Sequence, residues 1–444
     1  MNIIPEIFIP AFIGLIFFAF AFFKYPRWAI AGLIIAKPII DLTWNYYIIF
    51  NINFLKIYTA VFVILGIAYI LKERIKILDC PIGLPWLIFL ILNFISIFII
   101  SERNLLDKFE YFLRVLTGFI TLILFFNIFD FEKDKKFVLS IFIYPAIICI
   151  LIWLFEVFSK IPRTSVAGIS DELTRIKGPY HDFFHFPFYG LQLIICALPL
   201  LVETNKTNRT NQTNKTNESN LTFQTLTTTM LYLLIAISIF IIYKSYTKGG
   251  WITLPVILFL WFILRKKFIP ALLVVVGVIL FISLNPFRSE AGSLFRKEID
   301  ILILRNNKWE PDTLFMGRYR RWKGGMYEFN NMPFINKLLG AEKSPKNPEN
   351  DYLRILWHNG IIGLIVFILL LLQSIYLIVR NYIKNKDPVF LTGIFVIIMY
   401  LTSAIGSYPL FYPAFQWLLW GIVGFVLSEQ KARKDSCGID KKVF

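Results

Sequence analysis

Long apolar runs recur along this chain, at 7–23, 28–40, 54–71, 82–100, 109–129, 137–158, 183–202, 226–243, 251–264, 268–284, 360–379, 388–406 and 410–427. Roughly 20 residues at about 1.5 Å each cross the hydrocarbon of a bilayer. Backbone in lipid must satisfy its own hydrogen bonds, so such runs are helices. The expectation is an all-α, polytopic membrane protein with about 12–13 transmembrane helices in a single membrane domain, 1–444. The runs at 28–40 and 251–264 are short and read as broken or tilted helices. Composition agrees, with 57% hydrophobic residues against about 45–50% in soluble domains. The first run has no small-residue cleavage site and reads as a helix that stays.

A formal charge of +17 can signal nucleic acid, but in a polytopic protein basic loops report topology. Alternate loops carry Lys24 and Arg27; Lys72, Arg74 and Lys76; Lys133, Lys135 and Lys136; Lys206, Arg209 and Lys215; Arg265, Lys266 and Lys267; Arg380, Lys384 and Lys386. The positive-inside rule makes these cytoplasmic, together with the basic tail 428–444. The N-terminus and the long polar segment 285–359, between the tenth and eleventh runs, then face outward. Two more outward loops, 159–182 and 244–250, are basic against the rule, as an anionic ligand would require. No nucleic-acid partner is expected. Cys80, Cys149, Cys196 and Cys437 are far apart and lack zinc spacing, so neither a disulfide nor a metal site is inferred.

TNKTNRTNQTNKTNESNLT (204–222) is a three-residue repeat. Each Asn opens an N-x-[ST] pattern, silent on the cytoplasmic side. A polar tract of this kind cannot bury a core and reads as a disordered linker. In the segment 285–359, LFRKEIDILIL (294–304) puts its apolar residues on one helical face and suits the membrane interface. RYRRWKGGMYEF (318–329) interleaves Arg318, Arg320, Arg321 and Lys323 with Tyr319 and Trp322. Arg318 and Arg321, three apart, share a helix face.

The end of that segment, PENDYLRILWHNGIIGL (348–364), suits a helix from Asn350 into the next span. Asp351, Arg354 and His358 then fall on one face. Glu349 precedes it, where the helix dipole favours a carboxylate. The plainer alternative is a helix cap followed by an Asp351–Arg354 pair on a solvated face. RIKGPYHDFFHFPFYG (175–190) holds His181 and His185 four apart, a spacing that can chelate metal on a helix. The third ligand is missing nearby, and interfacial hydrogen bonding is the other reading. Arg175 and Lys177 form a cationic turn, suited to an anionic ligand or to lipid headgroups. In SYTKGGW (245–251), Lys248 beside Gly249 and Gly250 suits phosphate binding, or else a snorkelling lysine. Inside the spans, Lys37 stands in the second run, while Glu110 and Arg114, near an outer end of the fifth, most simply pair or else extend a basic cleft.

In these residues the chain resembles the O-antigen ligase and Wzy-type polymerase family. The resemblance lies in the order Arg321-Trp322, Pro333, Gly340, Asn350-Asp351-Tyr352-Leu353 and Gly360-Ile361-Ile362-Gly363. Arg175 to Gly178 is similar to an earlier Arg-x-x-Gly element, and Thr247-Lys248-Gly249 to a Ser-Arg-Gly junction. The family's His before Asn is Glu349 here.

The resemblance implies a glycosyltransferase of the plasma membrane, multi-pass, with its active site facing outward. It would move a glycan from a polyprenyl-pyrophosphate carrier to an acceptor hydroxyl, inverting and without a metal or other cofactor. The implied partners are the lipid-linked donor, a lipid, glycan or protein acceptor, and membrane lipids. Glu349 is then the expected base and His358 the second candidate. Arg175, Lys177, His181, Lys248, Arg318, Arg321, Asn350 and Arg354 are expected around the substrates, with Trp322 and Tyr319 stacking on sugars. A transporter or flippase of a lipid-linked saccharide is the alternative; it calls for paired charges at mid-bilayer depth and an internal repeat.

Overall fold

Each apolar run after the first is a helix in the computed structural model. The structure describes residues 14, 16, 18–43, 47–49, 52–100, 105–158, 164–166, 170–175, 185–213, 218–283, 295, 298, 300–301, 314–315, 317–340 and 349–431. Helical backbone at 18–24 falls in the first run, most of which lies outside the described residues. The helices that follow are α1 (Pro26–Asp41), α2 (Phe54–Lys72), α3 (Gly83–Phe94, continued as a π-helix over Ile95–Ile100), α4 (Leu105–Ile128) and α5 (Phe131–Phe158). Next come α6 (His185–Thr213), α7 (Glu218–Lys244), α8 (Lys248–Leu264) and α9 (Phe268–Ser283). Two loop helices, α10 (Arg318–Asn330) and α11 (Phe334–Leu339), precede α12 (Asp351–Asn385), α13 (Val389–Gly406) and α14 (Pro413–Leu427).

Eight helices among the described residues are long and apolar enough to cross a membrane, while α8 and α9 are shorter apolar helices. The expected 12–13 spans therefore include elements too short to cross by length alone. The shortest, α14, spans 15 residues, about 23 Å of helix. Its length need not match the bilayer, because protein surrounds it: every residue from Phe415 to Leu427 is buried. It packs along α4, where a side chain on Gly424 would strike the backbone of Leu122. Close backbone approach through small residues is how membrane helices pack tightly. Elsewhere large apolar side chains point away from the bundle, among them Leu71, Phe155 and Ile269, as lipid-facing positions do.

Two features depart from expectation. The predicted disordered linker is helical backbone on either side: α6 runs to Thr213 and α7 starts at Glu218. An apolar helix already nucleated in the bundle extends at little cost per residue, even through weak helix formers. Two small antiparallel hairpins also occur, β1–β2 (Tyr47–Ile49, Ile52–Asn53) and β3–β4 (Thr164–Val166, Ser170–Arg175). They decorate loops and leave the fold all-α.

Candidate active site

The helix α10 carries the arginines. It buries Gly325 and Phe329, and Phe329 packs with Leu356 and Trp357 of α12. Three- and four-residue steps back along that stripe lead to Arg321 and Arg318. The packing that seats α10 on α12 therefore turns these two guanidinium groups toward the bundle, while Arg320 and Lys323 are exposed. The first turn of α10 holds no acidic residue. Cations at a helix N-terminus add to the positive end of its dipole, so this turn is strongly electropositive.

Glu349 meets both arginines. Arg318 donates from Nε to Glu349 Oε2 at 2.6 Å, and Arg321 from Nη1 to Oε1 at 2.5 Å. Glu349 has φ +47°, a left-handed conformation uncommon outside glycine. The next residue, Asn350, caps α12: its Oδ1 accepts from Leu353 N at 3.0 Å, and its Nδ2 donates to Ile405 O at 3.0 Å. The expected helix start at Asn350 is thus present, tied to the end of α13.

Two glycines fix the height of α11 against α12. Gly340 (φ +102°) ends α11, and Gly360 (φ +66°) breaks α12. A side chain at Gly340 would strike the His358 carbonyl, and one at Gly360 would strike that of Leu338. Backbone meets backbone here, which explains why both positions are glycine.

The plain reading of Asp351, a solvated partner of Arg354, is corrected. Asp351 is 0% exposed. Its Oδ2 accepts from Leu410 N at 2.7 Å and from the Tyr400 hydroxyl at 3.2 Å. Its Oδ1 has no hydrogen-bond partner among the described residues. Asp351 so holds the 3-10 turn Pro409–Phe411 against α12, and the turn sets two rings beneath Arg354. The Arg354 guanidinium lies 4.3 Å from the centroid of Tyr408 and 4.4 Å from that of Phe411. Arg114 reaches the same Phe411 ring at 5.8 Å. It pairs with Glu110 as expected, and Lys56 joins that carboxylate at 2.7 Å. Replacing Asp351 with Ala strands the Leu410 N–H and the Tyr400 hydroxyl, at about 1–3 kcal/mol for each. Asp351→Asn keeps an acceptor and should cost less; thermal unfolding of both purified variants checks the order.

Lys248 opens α8 but bonds to Glu298 Oε1 at 2.5 Å. The same oxygen accepts from Phe315 N at 3.1 Å, and Phe315 stacks on Trp322 at 5.5 Å. Glu298 therefore joins the start of α8 to the segment that leads into α10. His358 is buried, with its ring 4.4 Å from that of Tyr111. Arg175 ends β4, while Lys177 and His181 lie outside the described residues. His185 opens α6, its Nε2 3.9 Å from Asp41 Oδ2. Asp41 also pairs with the buried Lys37 and accepts from the Tyr189 hydroxyl at 3.3 Å. Among the described residues no group of three or more His, Cys, Asp or Glu side chains is placed to hold a metal ion. The structure thus joins Glu349, Arg318, Arg321 and Asn350, seats Arg354 on the neighbouring turn, and ties Lys248 to the loop through Glu298.

Sequence reading missed Glu298, Tyr400 and the 408–411 turn. Glu298 stood in an amphipathic stretch, and a carboxylate there was a usable signal. The turn offered only Pro409 among aromatics, with nothing to link it to Asp351.

No curated protein matches the chain. Residues 233–368 match the family model described as O-antigen ligase, a stretch that includes Lys248, Glu298, both Glu349-bound arginines, Asp351 and the Gly340–Gly360 contact. Over that stretch the chain is similar to the O-antigen ligase family, a likeness that supports glycan transfer of the O-antigen ligase type in general.

Proposed function

We propose that the chain is a plasma-membrane glycosyltransferase whose site, on the outer face, moves a glycan from a polyprenyl-diphosphate carrier to an acceptor hydroxyl with inversion. The observation that carries this reading is the convergence of Arg318 and Arg321 on Glu349 within the matched segment. The acceptor oxygen attacks the anomeric carbon as the carbon–oxygen bond to the diphosphate breaks on the opposite side. The bonding pair leaves with the diphosphate, and the proton passes to Glu349. Guanidinium groups match phosphate oxygens two at a time and remain charged at any working pH. Arg318 and Arg321 hold the leaving group, and Arg354, Lys248, Arg175, Lys177 and His181 supply further contacts to the two substrates. Tyr319 and Trp322, on the arginine helix, offer aromatic faces to sugars.

The test is reconstitution of the full chain in proteoliposomes with a labelled polyprenyl-diphosphate glycan and an acceptor on the outer side. Label should appear on the acceptor as free polyprenyl diphosphate accumulates. Passage of the intact lipid-linked glycan across the bilayer without bond cleavage would instead support a transporter.

A further inference from the structure

We propose that Glu349 is an internal anion filling the donor's diphosphate subsite: it holds Arg318 and Arg321 until the diphosphate displaces it, and the displaced carboxylate then takes the acceptor's proton. This rests on the glycan-transfer reading above and adds an order of events to it.

Three observations lead there. Both carboxylate oxygens of Glu349 are engaged by guanidinium nitrogens, at 2.6 and 2.5 Å. A carboxylate held by both arginines occupies the place where a diphosphate would meet the same two guanidinium groups. Second, the gripping groups stand in the first turn of α10, where helix dipole and arginines add. Such a spot attracts whichever anion is at hand. Carboxylate and phosphate offer guanidinium the same two-point geometry, and a diphosphate brings more charge. Third, Glu349 is strained while its neighbour is anchored. Glu349 stands at φ +47°, and Asn350 is bonded to Leu353 and Ile405. The carboxylate can therefore leave the arginines without moving α12.

The sequence of events balances. The diphosphate takes over Arg318 and Arg321, freeing Glu349. The acceptor's O–H proton goes to Glu349 as its oxygen bonds the anomeric carbon, and the bonding pair leaves on the diphosphate. When the diphosphate departs, Glu349 gives its proton to water and returns to the arginines. Donor therefore binds before acceptor in each cycle.

The test uses the full chain in lipid nanodiscs with sugar-free polyprenyl diphosphate as the probe, comparing wild type, Glu349→Gln and Glu349→His at pH 8. Glutamine keeps the size of the side chain and removes its charge, and histidine supplies a largely neutral base. Both variants should bind the probe about tenfold tighter than wild type, the size expected when a competitor that makes two partly exposed ion pairs is removed. Glu349→Gln should lose transfer, and Glu349→His should keep a measurable rate. Equal or weaker binding by both variants overturns the proposal while leaving the transfer reading intact. Wild-type turnover in Glu349→Gln overturns the proton role. Failure of all three proteins to bind the probe defeats the donor assignment itself and the internal anion with it.

Discussion

Glycan transfer by an Arg321→Gln variant is expected to fall by about a hundredfold or more, the usual loss when one fixed donor to a developing negative charge is removed. In the proposed reaction charge builds on the diphosphate as the glycosidic bond breaks, so the contact would strengthen toward the transition state. The loss should therefore appear in kcat more than in KM. Arg321→Lys should recover little, since a lysine is a point charge without the planar fork. Arg320→Gln is the control: this side chain is exposed on the same turn, and its removal should change the rate less than threefold. Initial rates in proteoliposomes, at several donor concentrations, separate the two parameters. An Arg321→Gln protein at half the wild-type rate would remove this residue from the leaving-group contact.

The second large effect is expected from Gly360→Ala. The position has φ +66° and ψ −171°, a region open essentially to glycine alone that costs a residue with a Cβ about 1–3 kcal/mol. The added methyl also meets the Leu338 carbonyl, so α11 must move away from α12. Overpacking of this kind costs about 1–3 kcal/mol more. Together these predict a destabilisation of about 3 kcal/mol, read as a lower midpoint in thermal unfolding of the purified protein. Transfer should fall with it, because α11 connects through 331–333 to the arginine helix. Gly324→Ala offers a comparison. It lies on α10 without a positive φ, and an added Cβ there meets nothing within 4 Å, so it should not destabilise. Equal stability of Gly360→Ala and wild type would mean that the two glycines are not in backbone contact.

Local signals carried most of the architecture. Apolar runs placed the helices because lipid leaves the backbone no alternative. Asn350 was legible as a cap, and Glu110 with Arg114 as a pair, because those contacts are three or four residues long. The site was legible only as a set of residue types. Glu349 reaches Arg318 across 31 residues, Lys248 reaches Glu298 across 50, and Asp351 reaches Leu410 across 59. No periodicity encodes contacts of that span; they follow from how α10, α12 and α13 stack. Asp351 misled for the same reason. Its own helix suggested a solvated face, and the face is covered by α13 and the turn after it. The short run at 251–264 is the short helix α8, and whether it or α14 meets lipid is not written in its composition, since a run of apolar residues does not say whether lipid or protein will surround it.

The extent of α12 has a consequence for how large molecules could be handled. Beyond the joint at Gly360, residues 361–385 make about 37 Å of helix, already longer than the roughly 30 Å of bilayer hydrocarbon. Residues 351–359 form a separate short arm on the other side of that joint, with Asn350 at its tip. In the proposed reaction an arm of this kind lets bulky hydrophilic chains stay in water while only the isoprenoid tail sinks. Its reach is a property of residue count, nine residues or about 14 Å.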